Sequence, residues 1–252
     1  MSIAVITGAT SGMGRALAKI IDRENQATTA FWLIGRREDQ LRALKQELIK
    51  PARCFVMDLG EGEALIALQR ELETADLKIG FLVNAAGFGM IGSIAELSAE
   101  VQMAMIDVNV RALTAITRLC LPYLSTGAHV VQFASAAAFL PQPNFAVYAA
   151  SKSYVLSFSQ ALNAELPDAS VTAVCPGPVR TAFFKTAEKV HRRAAFKNRF
   201  MADPEKVAAK AYRDAMAGRA VSVYGTAMKL LRLVAKLLPM RLLVWVQSPG
   251  KR

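Results

Sequence analysis

The chain has 252 residues, enough for one α/β domain of ordinary size and a short tail. Apolar residues make up 53% of it and charged residues 20%, which excludes a disordered protein. The net charge of +11 is confined to the end, because residues 180–252 carry 17 Lys/Arg against 4 Asp/Glu and residues 1–179 carry 14 against 16.

The cysteines and the N-terminal residues indicate the cellular compartment of the protein. Cys54, Cys120 and Cys175 are widely spaced and odd in number, so we expect neither a disulfide framework nor a metal site. The chain begins directly with an apolar segment and has no basic region or cleavage site of a secretory signal. Together these features predict a protein of the reducing cytoplasm.

Short apolar segments alternate with helical patterns along most of the chain. Strands are predicted at residues 3–7, 30–34, 54–57, 81–84, 130–134 and 171–174. Helices are predicted at residues 14–22, 38–49, 62–72, 99–124 and 149–166. Strands that are apolar throughout are typical of a parallel sheet with helices on both faces. We therefore predict a single doubly wound α/β domain of the Rossmann type over residues 1–225, with ligands at the carboxyl ends of its strands.

A glycine-rich turn joins the first predicted strand to the first predicted helix, with the spacing G-x-x-x-G-x-G. Gly8 would allow a tight turn, Gly12 the approach of a pyrophosphate and Gly14 close packing of helix on strand. The backbone N–H groups at Thr10, Ser11 and Met13, with the helix N-terminus, would then face the phosphates. The alternative is a glycine-rich turn that holds no ligand.

Two arginines, Arg36 and Arg37, follow the second predicted strand. An NAD-binding sheet usually has an acidic residue there, which accepts hydrogen bonds from the adenosine ribose. Guanidinium groups suit a 2′-phosphate instead, so NADP(H) is favoured over NAD(H). The alternative is a solvated basic pair at the start of a helix.

Further motifs follow the later strands in chain order. They are Asn84-Ala85-Ala86-Gly87, Asn109, Ser135, Tyr148 with Lys152 four residues later, and Pro176-Gly177. With the glycine turn, these motifs resemble the short-chain dehydrogenase/reductase family in both order and position. The resemblance covers residues 2–225, and the order of the motifs carries it because each motif alone is common.

The proton-transfer residues are the most specific part of this resemblance. A spacing of four places Tyr148 and Lys152 on one helix face, where an ammonium would favour the phenolate. The resemblance implies that Tyr148 is the general acid in reduction and the base in oxidation, while Lys152 lowers its pKa and binds the nicotinamide ribose. It also implies that Ser135 hydrogen-bonds the substrate oxygen and that Asn109 holds a water linking the lysine to solvent. The alternatives are a half-buried aromatic, a small-residue turn at Ser135 and a structural bridge at Asn109.

The resemblance also assigns further contacts to the cofactor. It places Asp58 and Leu59 at the adenine, residues 84–86 at the ribose side, and Val179 and Thr181, after Pro176-Gly177, at the carboxamide or phosphates. It implies a homo-oligomer, either a dimer or a tetramer, and reduction of a ketone to an alcohol or the reverse. A non-catalytic NADP(H)-binding regulatory or assembly protein of the same fold is the alternative.

Phenylalanine-rich segments after the strands should select the substrate. The candidate side chains are Phe88, Met90, Phe139, Leu140, Phe145, Phe183 and Phe184, the last two in a substrate loop at residues 182–202. They predict an apolar carbonyl or alcohol substrate, such as a lipid or an aromatic ketone. Packing within the core is the alternative.

Residues 226–252 form a basic, leucine-rich tail. Lys229, Arg232 and Lys236 recur at helical spacing between leucines, and Pro239 should break the helix. Three interpretations stay open for residues 226–247: an amphipathic helix on an anionic membrane surface, a cover over the active site or a partner subunit, and a membrane span. Nucleic-acid binding is not expected, because no basic and aromatic recognition module is present.

Overall fold

The computed structural model describes residues 2–187 and 201–247. Within them, seven parallel strands form one sheet in the order β3-β2-β1-β4-β5-β6-β7. The strands are β1 (Ser2–Thr7), β2 (Ala30–Gly35), β3 (Ala52–Val56), β4 (Lys78–Asn84), β5 (Leu124–Phe133), β6 (Ala169–Val174) and β7 (Val221–Ser222). The sheet grows in opposite directions from β1 and β4, so the predicted doubly wound fold is confirmed.

Helices cover both faces of this sheet. They are α1 (Gly12–Glu24), α2 (Glu38–Glu47), α3 (Gly62–Thr74), α4 (Ala99–Ile106), α5 (Leu113–Cys120), α6 (Ala146–Glu165), α7 (Phe183–Ala187), α8 (Pro204–Met216), α9 (Thr226–Leu237) and α10 (Met240–Gln247). In β1, Ala4 and Ile6 pack against α1, α2 and α8, while Ile3 and Val5 pack on the side of α3, α5 and α6. Burial on both faces explains why the strand is apolar throughout.

The segment from residue 99 to 124, predicted as one helix, consists of several elements. A π-helical turn, Asp107–Ala112, separates α4 from α5, and a short 3₁₀ helix, Leu121–Tyr123, follows. Pro122 has no N–H to continue α5, and the π turn contains Asn109, whose side chain bonds to other elements. The strand β5 then begins at Leu124, earlier than predicted.

The elements that were not predicted are the short helix α7, the 3₁₀ turn Ala136–Phe139, the helix α8 and the strand β7. The helix α8 begins with a recognisable pattern, since the side chain of Asp203 caps it and Pro204 occupies its first turn. The strand β7 has only two residues and therefore no periodicity to detect.

The tail forms two helices, α9 and α10, on either side of Pro239, as the missing proline N–H predicts. Gly177 lies directly beneath Met228 of α9, and the side chain of Gln247 in α10 donates to the carbonyl of Pro141. In the described ranges, no helix is long and apolar enough to cross a membrane.

Candidate active site

The predicted site residues lie along the carboxyl edge of the sheet, most of them near the ends of β1, β4, β5 and β6. The glycine turn follows β1, and the loop of residues 85–92 follows β4. Ser135 lies two residues beyond β5, and Pro176 two residues beyond β6. The first two turns of α6 supply Tyr148 and Lys152. Residues that are far apart in sequence therefore lie together in one crevice at the carboxyl ends of the parallel strands.

The glycine turn fits closely against the loop after β4. A Cβ on Gly8, where φ is +66°, would lie 2.7 Å from backbone atoms of Ala85 and Ala86. A Cβ on Gly14 would lie 2.6 Å from the carbonyl oxygen of Gly8. The Thr7 hydroxyl accepts hydrogen bonds from the N–H groups of Ala85, at 3.1 Å, and Ala86, at 3.2 Å. Thr7 is therefore a clamp between β1 and β4, a role that sequence analysis did not assign.

The start of α1 can accept an anion. Ser11 occupies its N-cap position but makes no side-chain capping bond, and the first turn contains no acidic residue. Gly12 has φ of +57°, and a Cβ there would approach the Thr181 side chain to 3.2 Å. Met13 packs on the core behind this turn. The uncapped N–H groups and the narrow gap between Gly12 and Thr181 suit a pyrophosphate.

The two arginines lie beside this turn. The Nη2 atom of Arg37 donates to the Thr10 hydroxyl at 3.1 Å. The Nη1 atom of Arg36 lies 3.4 Å from an Oδ2 atom of Asp58, and both side chains are exposed. Arg36, Arg37 and Asp58 are therefore brought together at the end of β2 and β3, next to the glycine turn.

Two other residues predicted at the adenosine end have side chains in the core. The amide of Asn84 is buried and donates to the Thr117 hydroxyl at 3.0 Å, while its Oδ1 atom has no hydrogen-bond partner. Leu59 packs in the core on the α3 and α5 side of the sheet. Because these two side chains lie in the core, residues 59 and 84 would contact the cofactor through their backbone atoms.

Tyr148 and Lys152 are both buried. Burial raises the pKa of Tyr148 to about 12, and a side-chain hydrogen bond from Ser135 offsets part of that rise. Burial lowers the pKa of Lys152 to about 8, which leaves it mainly protonated at neutral pH. Its Nζ atom donates to the carbonyl of Phe133 at 2.7 Å and lies 5.8 Å from the centre of the tyrosine ring. The resemblance implied a tyrosine pKa lowered by Lys152, but in the structure burial outweighs any such effect and the pKa is raised. The phenol is therefore protonated at neutral pH, the form from which it can donate a proton.

Ser135 is fixed by the backbone around it. Its hydroxyl accepts a hydrogen bond from the N–H of Ala137 at 3.1 Å. The N–H of Ala136, the residue between these two, donates to the carbonyl of Pro176 at 2.8 Å. The strand ends of β5 and β6 are therefore joined at this point. The same hydroxyl reaches the Tyr148 phenol, so both groups can address one substrate oxygen.

Asn109 is completely buried, and its amide bonds to two other segments. Its Nδ2 atom donates to the Phe88 carbonyl at 2.9 Å and to the Ser151 hydroxyl at 3.0 Å. Its Oδ1 atom accepts from the N–H of Phe88 at 3.1 Å. The side chain thus joins the loop after β4 to α6, beside Gly87, where a Cβ would lie 3.2 Å from Lys152 Nζ. A water held at this position would have to bond to the backbone, since the amide is occupied.

Aromatic rings enclose the catalytic tyrosine candidate. The ring of Phe145 stacks on Tyr148 at 4.3 Å between centroids, and Phe183 lies at 5.4 Å. Phe88 and Met90 belong to the same apolar cluster. Among the other residues predicted to line the substrate site, Phe184 contacts the ring of Phe183 edge-on. Phe139 packs instead in a separate cluster with Met228, and Leu140 is buried. Residues 188–200 of the predicted substrate loop lie outside the described residues.

The segment after β6 lies along the opposite wall of the crevice. Val179 is buried and forms a bridge with Ala202, and the Thr181 hydroxyl accepts from the N–H of Phe183 at 3.3 Å. Gly177 is covered by α9, so a larger residue there would displace Met228. Residues 176–181 therefore connect the glycine turn to the apolar cluster around Tyr148.

Comparisons with known proteins agree with this geometry. Residues 2–191 match the family model described as short chain dehydrogenase. Sulfoacetaldehyde reductase 2 from Chromohalobacter salexigens is 36% identical over 192 residues, which cover 72% of this chain and 74% of that protein.

Two solved structures resemble nearly the whole chain. A short-chain dehydrogenase from Sphingobium yanoikuyae in complex with NADPH has a TM-score of 0.79 and 25% identity, covering 94% of this chain and 93% of that one. A short chain dehydrogenase/reductase from Burkholderia phymatum in complex with NAD has a TM-score of 0.79 and 26% identity, covering 93% of each chain. Because one structure contains NADPH and the other NAD, likeness alone does not choose between the two cofactors.

Proposed function

Because the chain belongs to the short-chain dehydrogenase/reductase family, we propose that it is a cytoplasmic enzyme that uses NADPH to reduce the ketone of an apolar molecule. It is an NAD(P)-dependent oxidoreductase acting on a carbonyl or alcohol group. The observation that carries the finer proposal is the apolar aromatic cluster that surrounds Tyr148, with Phe145 and Phe183 against its ring. These groups favour an enzyme over a non-catalytic cofactor-binding module.

In the proposed reduction, the Tyr148 phenol donates a proton to the oxygen of the ketone as negative charge develops there. The raised pKa keeps that proton on the phenol at neutral pH until the oxygen becomes more basic. The Ser135 hydroxyl holds the same oxygen by a hydrogen bond that strengthens as the charge grows. The ammonium of Lys152, buried close by, stabilises the phenolate that remains.

The residues around the glycine turn would hold the cofactor, which supplies the hydride when bound. The N-terminus of α1 and Gly12 would receive the pyrophosphate, and Arg36 and Arg37 the 2′-phosphate. Arg36 pairs with Asp58, whereas Arg37 donates to the uncharged hydroxyl of Thr10. Two guanidinium groups therefore lie next to the glycine turn, and guanidinium groups bind phosphate oxygens well, which supports a 2′-phosphate as ligand.

The apolar surroundings of Tyr148 support an apolar substrate. Phe145 and Phe183 cover the tyrosine ring, and Phe88 and Met90 extend the same cluster. A small anionic aldehyde such as sulfoacetaldehyde, on which the named relative acts, would lose its hydration beside these rings. We therefore favour an aryl or long-chain ketone as the substrate class.

Replacing both Arg36 and Arg37 by Ala is expected to weaken NADPH binding by about 10- to 100-fold, since charge-assisted hydrogen bonds to a phosphate are lost. Binding of NADH, which has no 2′-phosphate, should change by less than about threefold. Affinities and kcat/KM for ketone reduction would be measured with both cofactors. Arg42→Ala, which removes an exposed arginine paired with Glu38 on the same helix, is the matched control. Equal affinity of the unaltered protein for NADH and NADPH would contradict the proposal.

A further inference from the structure

The tail helix α9 has apolar residues on two opposite faces. Its inner face carries Met228, which packs over Gly177 next to the active site. Its outer face carries Leu230, Leu233 and Leu237, which are 61%, 53% and 71% exposed. The spacing of three and four residues aligns these three leucines in one stripe. Packing on the domain explains the inner residues but not the outer stripe.

The outer apolar surface continues beyond α9 into α10. Its further members are Leu238, Met240, Leu242, Trp245 and Val246, all exposed. Within the described residues, eight of the fifteen large apolar side chains that are exposed lie between residues 230 and 246. Such concentration in one segment distinguishes an interaction surface from the scattered apolar residues of an ordinary protein surface. We call this segment, residues 226–247, the tail surface.

The charge of the tail surface has one sign. Lys229 and Lys236 are exposed along one side of the leucine stripe, and Arg241 is exposed in α10. Residues 226–247 contain four basic residues and no Asp or Glu. A leucine stripe bordered by lysines, with a tryptophan near its end, is the pattern of a helix that lies in a membrane interface.

We propose that the tail surface binds an anionic lipid bilayer, with the apolar side chains of α9 and α10 in the headgroup region. The charge argues against a second copy of the chain as occupant, because two tail surfaces would face each other with lysines and no acidic partners. A bilayer of acidic lipids supplies both the apolar phase and the opposite charge. The twelve residues of α9 suit a helix lying along the surface rather than across it.

The position of the tail surface also has a consequence for the substrate. The helix α9 packs against the 3₁₀ turn Ala136–Phe139, which directly follows Ser135. Bilayer contact would therefore lie beside the wall of the crevice, where an apolar ketone dissolved in lipid could enter. This consequence rests on the proposed function, whereas membrane binding itself does not.

Sedimentation with vesicles tests the proposal on the full chain. Vesicles of phosphatidylglycerol and phosphatidylcholine are expected to bind the protein at least tenfold more strongly than vesicles of phosphatidylcholine alone, and added salt should weaken the binding. Leu233→Ser with Leu237→Ser, and separately Lys229→Glu with Lys236→Glu, should each lower the partition coefficient at least tenfold. The matched controls are Ile49→Ser, which removes an apolar side chain that is 79% exposed on another surface, and Lys78→Glu, which reverses the charge of an exposed lysine outside the tail. Both variants should bind vesicles like the unaltered protein.

Thermal unfolding and NADPH binding would be measured on every variant. An unchanged melting temperature shows that the fold is intact, and unchanged NADPH affinity shows that the cofactor site is intact, so that a loss of vesicle binding can be assigned to the tail surface. Equal binding to both kinds of vesicle, or none to either, would overturn the proposal. So would leucine variants that dissociate an oligomer while vesicle binding stays unchanged, since the tail surface would then be a subunit interface.

Discussion

Replacing Tyr148 by Phe is expected to lower kcat for ketone reduction by about 10²- to 10⁴-fold, the usual contribution of a general acid. The substitution removes only the hydroxyl that would give its proton to the ketone oxygen. The phenyl ring can keep its stacking on Phe145 and its contact with Phe183, so the fold and the apolar cluster should persist. NADPH affinity should change little, because the phenol contributes proton transfer rather than most of the cofactor contacts.

Steady-state rates and NADPH affinity would be measured side by side. Tyr154→Phe is a matched control on the same helix, since the Tyr154 hydroxyl hydrogen-bonds to Thr114 away from the site. This variant should retain nearly full activity. A Tyr148→Phe enzyme with an undiminished kcat would show that another group donates the proton.

Replacing Gly8 by Ala should destabilise the protein by about 2 to 5 kcal/mol. The left-handed backbone, with φ of +66°, costs about 1 to 2 kcal/mol for a residue with a Cβ. Overlap of that Cβ with the backbone of Ala85 and Ala86, at 2.7 Å, adds about 1 to 3 kcal/mol, because neither β1 nor β4 can move away cheaply. Displacement of the turn should also weaken cofactor binding.

Gly127 provides the matched control for this steric effect. Its φ is +76°, but a Cβ there would have no neighbour within 4 Å. Gly127→Ala should therefore cost only the backbone term, about 1 to 2 kcal/mol. Chemical denaturation of both variants measures the difference between their free energies of unfolding. Equal loss of stability at the two positions would mean that the close approach of Gly8 to the loop after β4 contributes nothing.

Six of the seven strands and the general position of the site could be predicted from the sequence. Apolar strands such as β1 can be recognised because both of their faces are buried, and a motif at a strand end must lie at the carboxyl edge of a parallel sheet. The pairing of Tyr148 with Lys152 required only helical spacing. These predictions depend on local periodicity, which a single sequence contains.

Side-chain direction and long-range contacts could not be predicted in the same way. The amide of Asn84 turns towards Thr117 in the core, and the Thr7 hydroxyl clamps the loop after β4. Asn109 interrupts a regular helix because its amide is bonded to Phe88 and Ser151, which are distant in sequence. Phe139 packs beneath α9, away from Tyr148. Each of these outcomes depends on a neighbour that only the folded chain supplies.

A comparison of two carbonyl substrates tests whether this enzyme acts on apolar ketones. The kcat/KM for NADPH-linked reduction would be measured with acetophenone, an apolar aryl ketone, and with sulfoacetaldehyde, the small anionic aldehyde of the named relative. If Phe145 and Phe183 line the substrate site beside Tyr148, acetophenone should have the higher kcat/KM by at least about tenfold, since desolvation penalises the anion. A higher kcat/KM for sulfoacetaldehyde, or reduction of neither compound by protein that binds NADPH, would contradict an enzyme for apolar ketones.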